Sequence, residues 1–237
     1  MKKVIIIGAT SGIGRALAVI YVSMGWRVGA TGRRSELLET LRQEAPAQIE
    51  TACFNVMHDR NHHHLEQLIS ALGGMDLLIY NSGIGEVSKE LDHAIETTTI
   101  RTNVNGFVDI VAYAFNFFVR QGHGQIALTS SVAGLRGNSW APAYSASKAF
   151  MSNYAEGLNI KSARMKKDVV VTDLRPGFVK TKMAQGKQFW SAPVDKAAQQ
   201  IVKAISHRRR VAYITRRWWL VAQLMKILPY RLYASVG

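Results

Sequence analysis

Seven short apolar runs, separated by longer segments with helical periodicity, constrain the fold more than any other feature of this sequence. Most of the runs are continuously apolar rather than alternating, which is typical of parallel strands covered on both faces. The predicted strands are Val4–Ile7, Arg27–Ala30, Ile49–Phe54, Asp76–Tyr80, Gln125–Thr129, Val169–Leu174 and Val211–Ile214. A sheet of this kind must be buried between two layers of helices.

Helical patterns occupy the segments between these runs. The predicted helices are Ile13–Met24, Glu36–Glu44, His64–Leu72, Ile95–Arg120, Tyr144–Met165 and Val194–His207. The alternation predicts an α/β fold, a single Rossmann-type doubly wound parallel sheet of about seven strands with helices on both faces. The chain of 237 residues suffices for one such domain, predicted over residues 1–215, with a basic amphipathic extension over residues 216–237.

The stretch VIIIGATSGIG places Gly8, Gly12 and Gly14 after the first strand and at the start of the first helix. A turn without Cβ atoms lets the backbone approach a pyrophosphate, whose charge then meets the free N–H groups of the helix N-terminus. The strand–turn–helix context supports a dinucleotide site. A purely structural glycine turn is the alternative.

The end of the second strand, GATGRR, selects the cofactor. An NAD site usually offers an acid there for the ribose 2′-hydroxyl, whereas an NADP site offers arginine to the 2′-phosphate. Arg33 and Arg34 stand at this position, and the stretch contains no acid. Arginine matches phosphate in geometry as well as charge, so we predict NADP(H). Two solvated arginines at a helix start are the alternative.

The stretch YSASK places Tyr144 and Lys148 four residues apart, hence on one face of a predicted helix. A free tyrosine has a pKa of about 10, and a nearby ammonium would lower that pKa toward the range that proton transfer needs. Ser131, at the end of the fifth strand, could hydrogen-bond a substrate carbonyl. Together with the glycine turn, this pattern favours a functional pair over a solvated helix face.

These motifs resemble the short-chain dehydrogenase/reductase family, over roughly residues 2–215. Ser131, Tyr144 and Lys148 match its catalytic trio in identity and spacing. Asn103, in TNVNG, falls where the family keeps an asparagine that supports a proton-relay water. RPGFVKT is similar to the family's loop after the sixth strand. The resemblance implies cofactor binding by Gly8, Thr10, Ser11, Gly12, Ile13, Gly14, Arg33, Arg34, Asn55, Val56, Asn81, Gly83, Tyr144, Lys148, Pro176, Gly177, Val179 and Thr181.

Two segments depart from the family pattern. The family's Asn-Asn-Ala-Gly segment reads YNSG here, which keeps Asn81 and Gly83. The aspartate that contacts adenine in the family is replaced by Asn55, whose amide oxygen can still accept a hydrogen bond but carries no charge. We expect weaker cofactor binding from this change and no loss of function.

The resemblance implies hydride transfer between nicotinamide and a carbonyl or secondary alcohol. In this scheme Tyr144 moves the proton, Ser131 orients the oxygen, Lys148 tunes Tyr144 and binds ribose, and Asn103 completes the proton path. The alternative function is a nucleotide-binding sensor or scaffold with little turnover. The stretch KMAQGKQFWSAPVD predicts a lid, with an apolar lining that suggests an apolar or amphiphilic substrate. Its candidate lining residues are Met183, Phe189 and Trp190, with Lys180, Lys182 and Lys187 to attract an acidic group.

The formal net charge of +14 lies entirely in the last third of the chain. Residues 1–157 hold 13 basic and 13 acidic residues, whereas residues 158–237 hold 17 basic and three acidic ones. The extension TRRWWLVAQLMKILPYRLY predicts an amphipathic helix over Arg216–Leu228, too short to span a bilayer. It could lie on an anionic membrane surface, cover the substrate cleft or pack against another subunit.

Other signals are weaker. We expect a homodimer or homotetramer from the resemblance, and a cytoplasmic protein that is peripheral on the inner face of the membrane if the extension binds lipid. A nucleic-acid partner is not expected, because no matching motif is present. Consecutive His62–His64 cannot converge on one ion, so no metal site is predicted. Cys53, in a predicted strand, is interpreted as a small core residue.

Overall fold

A single parallel sheet organises the computed structural model, which describes residues 1–181 and 190–235. Its strands are β1 (Lys3–Ile7), β2 (Arg27–Gly32), β3 (Ile49–Cys53), β4 (Leu77–Tyr80), β5 (His123–Thr129), β6 (Asp168–Pro176) and β7 (Val211–Ile214). The strand order is β3-β2-β1-β4-β5-β6-β7, and every pairing is parallel. The predicted seven-stranded, doubly wound sheet is confirmed.

Helices cover both faces of the sheet, as the continuous apolar strands require. One core packs α1 (Gly12–Ser23), α2 (Ser35–Glu44) and α7 (Val194–Ser206) against the sheet, around side chains such as Leu17 and Ile201. The other core packs α3 (Asn61–Leu72), α5 (Gly106–Gln121) and α6 (Pro142–Arg164), around Phe107 and Phe118. Phe118 is therefore a core residue.

The strand order reverses at β1, which pairs with β2 on one side and β4 on the other. Crossovers leave this point in opposite directions, so a crevice opens beyond the carboxyl ends of β1 and β4. Gly8 follows β1 and Asn81 follows β4 directly. The fold therefore brings the two predicted nucleotide segments to the place where open α/β sheets bind ligands.

The long helix predicted over Ile95–Arg120 is interrupted. It consists of α4 (His93–Ile100), a π-helical turn over Arg101–Asn105, and α5. Asn103 lies inside this turn and is fully buried. Single π turns within α-helices are rare, but those that occur are often found at functional sites. Hydrophobic periodicity alone does not reveal them.

The prediction that Cys53 belongs to the core is wrong, because its thiol is exposed. Cys53 is the last residue of β3, and β3 is an outer strand of the sheet. A strand at the edge lacks a neighbour on one side, so an apolar run there does not guarantee burial.

The C-terminal segment folds back onto the loop that carries Ser131. It contains α8 (Trp218–Ile227) and, after Pro229, a short α9 (Tyr230–Ala234). A 3₁₀ turn over Val132–Leu135 contacts α8. Just after it, Arg136 Nη1 donates to the carbonyl oxygens of Met225 at 2.9 Å and Leu228 at 2.8 Å. Within residues 1–181 and 190–235, no helix has the length and apolar character needed to cross a membrane.

Candidate active site

The glycine turn is held against the end of β4. Asn81 Nδ2 donates to the Gly8 carbonyl oxygen at 3.2 Å, and Asn81 Oδ1 accepts from the Thr129 hydroxyl at 3.2 Å. A Cβ on Gly14 would overlap the Gly8 carbonyl oxygen. Ser11 is the N-cap of α1 but makes no side-chain cap, so the first-turn N–H groups stay available to an anion. These features fit a bound pyrophosphate.

The two predicted phosphate-binding arginines differ in position. Arg34 Nη2 donates to Thr10 Oγ1 at 2.6 Å and to Ser11 Oγ at 2.9 Å, so its guanidinium lies on the glycine turn. Arg33 is exposed to solvent. Arg34, rather than Arg33, therefore contacts the glycine turn, which together with Arg34 we call the nucleotide end.

Three further predicted cofactor residues surround this end. Asn55 is half-buried, and its Oδ1 accepts from Met57 N at 3.1 Å, so one lone pair of the oxygen predicted to meet adenine serves its own turn. Val56 is buried beside it. Ile13 belongs to the core beneath α1.

The loop after β6 connects the nucleotide end to the catalytic end. Ser131 Oγ donates to the Pro176 carbonyl oxygen at 3.4 Å. Val179 forms an isolated parallel bridge with Ala192. The Thr181 methyl group lies 3.2 Å from where a Cβ on Gly12 would stand, so Thr181 touches the glycine turn. Of the predicted lid residues, Lys182, Met183, Lys187 and Phe189 lie outside the described residues.

Gly177, in the same loop, lies against the C-terminal segment. A Cβ there would overlap the Trp218 indole, which is 5% exposed. The Trp218 ring also meets Phe178 edge to face, with centroids 5.5 Å apart. This position requires glycine because the backbone and the indole are in direct contact.

Asn103, Tyr144 and Lys148 converge near Gly83. Lys148 Nζ lies 5.7 Å from the centre of the Tyr144 ring and donates to the Thr129 carbonyl oxygen at 2.8 Å. A Cβ on Gly83 would stand 3.2 Å from Asn103 Oδ1 and 3.3 Å from Lys148 Nζ. The three side chains therefore border one small space at the ends of β4 and β5.

Asn103 is oriented by three hydrogen bonds. Its Oδ1 accepts from Ile84 N at 2.9 Å, and its Nδ2 donates to the Ile84 carbonyl oxygen at 2.8 Å and to Ser147 Oγ at 3.0 Å. The π turn places this side chain toward the loop after β4. These hydrogen bonds hold the amide in one orientation.

The expected net lowering of the Tyr144 pKa is wrong. Burial is the largest influence and raises the pKa of Tyr144 above its ordinary value, and a hydrogen bond with the Ser131 side chain works in the opposite direction. The Tyr144 hydroxyl is therefore protonated at neutral pH.

Burial also lowers the pKa of Lys148, to about 8, because the pocket disfavours the ammonium. The carboxylate of Asp173 opposes this shift by attraction. Asp173 is itself buried, accepts a hydrogen bond from Ser130 Oγ and pairs with Arg175 Nε at 2.6 Å. Lys148 therefore remains mostly an ammonium at neutral pH, in a pocket where burial opposes its charge.

Comparison with known proteins agrees with this geometry. The model of the family described as short chain dehydrogenase matches residues 2–192. The chain belongs to the short-chain dehydrogenase family. It is an oxidoreductase of that family, whose fold implies a nicotinamide cofactor.

Three similar proteins place this short-chain dehydrogenase more closely. It is 32% identical over 247 residues to an uncharacterized oxidoreductase of Myxococcus xanthus, covering 100% of this chain and 96% of the relative. It is 32% identical over 184 residues to the NADP-dependent 3-hydroxy acid dehydrogenase YdfG of Escherichia coli, covering 74% and 72%. A short-chain dehydrogenase structure from Streptomyces avermitilis superposes with a TM-score of 0.80 at 21% identity, covering 100% of both chains.

Sequence reasoning missed residues that contact or lie near the catalytic side chains without belonging to the quoted short-chain dehydrogenase motif positions. Ser147 lies inside YSASK and contacts Asn103, and Asp173 lies three residues before the Pro-Gly pair of RPGFVKT. The signal for Asp173 was present, because an acid within a predicted buried strand demands a partner. For Trp218 no signal existed, since its partner Gly177 lies in another segment.

Proposed function

We propose that this protein is an NADP(H)-dependent oxidoreductase that interconverts a carbonyl and a secondary alcohol. The observation that carries the proposal is the convergence of Ser131, Tyr144 and Lys148, with Asn103 behind them, at the strand ends beside the glycine turn. Proton transfer to a carbonyl oxygen needs a buried acid whose hydroxyl is oriented, and Tyr144 meets both conditions.

Each catalytic side chain has its own role in the proposed reaction. The cofactor, when bound, supplies or accepts the hydride. Tyr144 donates its proton to the substrate oxygen in reduction, a direction that suits its raised pKa. Ser131 orients that oxygen, and Lys148, with a pKa of about 8, stabilises the phenolate that remains and binds ribose. Asn103 holds the path by which Tyr144 regains its proton.

Preference for NADP(H) is supported by Arg34, whose guanidinium lies on Thr10 and Ser11. At this position it would meet a 2′-phosphate with charge and geometry. The relative from Escherichia coli is named NADP-dependent. Replacement of Arg34 with alanine should weaken NADPH binding by about tenfold or more while leaving NADH binding nearly unchanged. The same measurement on Arg33→Asp ranks the two arginines, and equal NADPH affinity in both variants would contradict the assignment.

The test of the enzyme proposal is a panel of aldehydes and ketones with NADPH and with NADH, followed by absorbance. The panel should include 3-oxo acids and longer apolar ketones. Tyr144→Phe should lower turnover by about 10³-fold while keeping NADPH affinity. Cofactor binding without turnover on any carbonyl would favour the alternative, a nucleotide-binding sensor or scaffold.

An apolar or amphiphilic substrate is supported by the surroundings of the loop after β6. Phe178 and Trp190 are 44% and 40% exposed there, beside exposed Lys180. The Arg217 guanidinium lies 5.4 Å from the Trp190 ring centre, and exposed rings in a basic part of the surface suit a substrate with an apolar body and an acidic end. Within the panel, a higher kcat/KM for 3-oxo acids than for neutral ketones of equal length would support this substrate class.

Self-association is supported by a partly exposed aromatic surface on α5 and α6. Phe117 on α5 and Phe150 and Tyr154 on α6 are only partly buried in the core, and Phe150 stacks on Tyr154 at 5.6 Å. We propose that a homodimer or homotetramer buries this surface. Light scattering should give a mass of at least two chains, and Phe150→Arg should lower it.

Contact with an anionic membrane surface is supported by the outer face of α8. Trp219, Leu220, Leu224 and Ile227 are 50–77% exposed, next to basic Arg217 and Lys226. This is the composition of an interfacial helix. Changing Leu220 and Ile227 to serine should abolish flotation with anionic vesicles while leaving the buried Trp218 in place, and a protein that does not float at all would remove this proposal.

A further inference from the structure

Two buried charges lie close to the catalytic side chains, the ammonium of Lys148 on α6 and the carboxylate of Asp173 on β6. Across residues 1–181 and 190–235, these two are the charged side chains that are buried, at 5% and 1% exposure. Taking a charge out of water is unfavourable unless an opposite charge or hydrogen bonds compensate. A carboxylate in this strand is therefore expected to serve another group, and none of the roles proposed above uses it.

The register of the sheet places Asp173 on the face that α6 covers. Asp173 is the partner of Leu128 on β5, and directly paired residues of parallel strands point to the same face. Leu128 belongs to the core beneath α6, and so does Val171, two residues before Asp173. Lys148 extends from α6 toward the same strands, where its Nζ donates to the Thr129 carbonyl oxygen at 2.8 Å. The two buried charges therefore lie in one layer, between the sheet and α6.

The carboxylate is held at both oxygens, next to the loop that carries Ser131. Asp173 Oδ1 accepts from Ser130 Oγ, and Asp173 Oδ2 pairs with Arg175 Nε at 2.6 Å. Ser130 N also donates to the Leu174 carbonyl oxygen at 2.9 Å, which fixes Ser130 against β6. A carboxylate with both oxygens engaged has a fixed position relative to the catalytic side chains.

Arg175 competes with Lys148 for this carboxylate. The Arg175 side chain is 15% exposed, so solvent screens little of its charge, and its Nη1 donates to Tyr213 Oη on β7 at 3.3 Å. Among the described residues, the other titratable groups in contact with Lys148 and Asp173 are Arg175 and Tyr144, with Tyr213 beyond Arg175. One carboxylate is thus shared by two cations, and removal of either cation changes what the other experiences.

We propose that Asp173 is a positioning residue of the catalytic site, whose carboxylate holds the Lys148 ammonium in the buried layer beside Tyr144. The inference rests on the proposed function, in which an ammonium must stabilise the Tyr144 phenolate. Burial lowers the pKa of Lys148 to about 8, and attraction by Asp173 opposes that shift. Without this carboxylate, Lys148 and Arg175 would be two neighbouring cations, and Lys148 would lose its proton more readily.

The test is a set of double-mutant cycles followed by denaturant unfolding from about pH 6 to about pH 10, which needs neither substrate nor cofactor. The parent, Asp173→Asn and Arg175→Gln are each compared with the same protein carrying Lys148→Met. Asparagine keeps an oxygen that can accept from Ser130 Oγ and removes only the charge. The difference in unfolding free energy within each pair, here called the Lys148 gap, reports the protonation of Lys148 in the folded protein.

The matched control is Asp168→Asn, with and without Lys148→Met. Asp168 is exposed at the start of the same strand and pairs with Arg208, so its replacement also removes a carboxylate that serves an arginine. This change leaves the buried layer untouched. The Lys148 gap of the control should therefore follow that of the parent at every pH.

The Lys148 gap of the parent narrows as pH rises past the lowered pKa of Lys148, because the folded protein then escapes the cost of the buried charge. In Asp173→Asn that pKa falls further, so narrowing should begin at a pH lower by about one pH unit. In Arg175→Gln the carboxylate is left to Lys148 alone, so narrowing should begin at a higher pH. A purely structural role for Asp173 would not move the gap in opposite directions. The proposal is overturned if Asp173→Asn narrows at the same pH as the parent, or if the control moves equally.

Turnover gives a second, independent measurement. With a carbonyl substrate that the parent reduces, the pH above which kcat falls should also be lower by about one pH unit in Asp173→Asn. An unchanged kcat profile beside a moved Lys148 gap would overturn the catalytic part of the assignment. Absence of turnover in the parent would refute the proposed function, whereas the unfolding cycles would still decide whether Asp173 holds the charge of Lys148.

Discussion

Buried polar groups are paired differently on the two sides of the loop after β6. We call the side that faces Ser131 and Lys148 the catalytic side, and the side that faces Thr215 and Trp218 the outer side. On the catalytic side, Ser131 contacts the Pro176 carbonyl oxygen, Lys148 contacts the Thr129 carbonyl oxygen, and Asn103 is bonded at both ends of its amide. On the outer side, Thr215 Oγ1 and Trp218 Nε1 are buried without a partner among the described residues. The catalytic side chains are thus held by partners within the protein, whereas these two groups of the outer side have no partner among residues 1–181 and 190–235.

This difference separates two uses of burial. Where the catalytic side chains are paired, burial changes chemistry by shifting the pKa values of Tyr144 and Lys148. Where groups are unpaired, burial is a cost that a ligand or a packing gain must offset.

The largest effect is expected from Lys148→Met. Turnover should fall by about 10³-fold, because the phenolate loses its ammonium. The protein should nevertheless become more stable at neutral pH, by up to about 3 kcal/mol, since a lysine with a pKa of about 8 is held in a pocket that disfavours its charge. Kinetics and denaturant unfolding measure the two effects. Lys161→Met, exposed on the same helix, should change neither, and a destabilised Lys148→Met would show that the bond to Thr129 outweighs desolvation.

The second prediction follows the same group with pH. The pKa of Lys148 is lowered to about 8 from 10.5, so the unfolded chain binds more protons than the folded one between these values. The destabilisation is therefore complete below about pH 8 and is relieved as pH rises toward 10.5. The stability gap between Lys148→Met and the parent should narrow by about 2 kcal/mol from about pH 7.5 to about pH 9.5. Because the two proteins share every other titrating group, a constant gap would contradict the shift.

The strand ends could be predicted from the sequence, whereas contacts between distant segments could not. The glycine turn and YSASK lie next to predicted strands and helices, so topology alone brought Gly8, Asn81 and Tyr144 to one edge of the sheet. The π turn at Asn103 follows from packing that periodicity does not encode. The exposure of Cys53 depends on strand order, and the Gly177–Trp218 contact joins segments about forty residues apart.

The next effect concerns the anchor of the C-terminal segment. Arg136→Ala removes the hydrogen bonds to the Met225 and Leu228 carbonyl oxygens and the cation–π contact with Tyr233, whose ring centre lies 4.4 Å away. We expect a loss of about 1–2 kcal/mol and faster amide hydrogen exchange over residues 218–227. Arg231→Ala, which removes an exposed charge from the same segment, is the control. Unchanged exchange in Arg136→Ala would mean that Trp218 alone holds α8.

The smallest effect is expected from Trp218→Phe, and it separates packing from polarity on the outer side. A phenyl ring can keep the contact with Gly177 and Phe178, but it fills less space, which costs about 1 kcal/mol. It also removes the buried indole N–H that lacks a partner among the described residues, which returns free energy of similar size. The net change in unfolding free energy should therefore stay within about 1 kcal/mol, whereas Trp218→Ala should cost about 3 kcal/mol or more. If Trp218→Phe costs as much as Trp218→Ala, the indole N–H contributes a hydrogen bond and the outer side is as fully paired as the catalytic one.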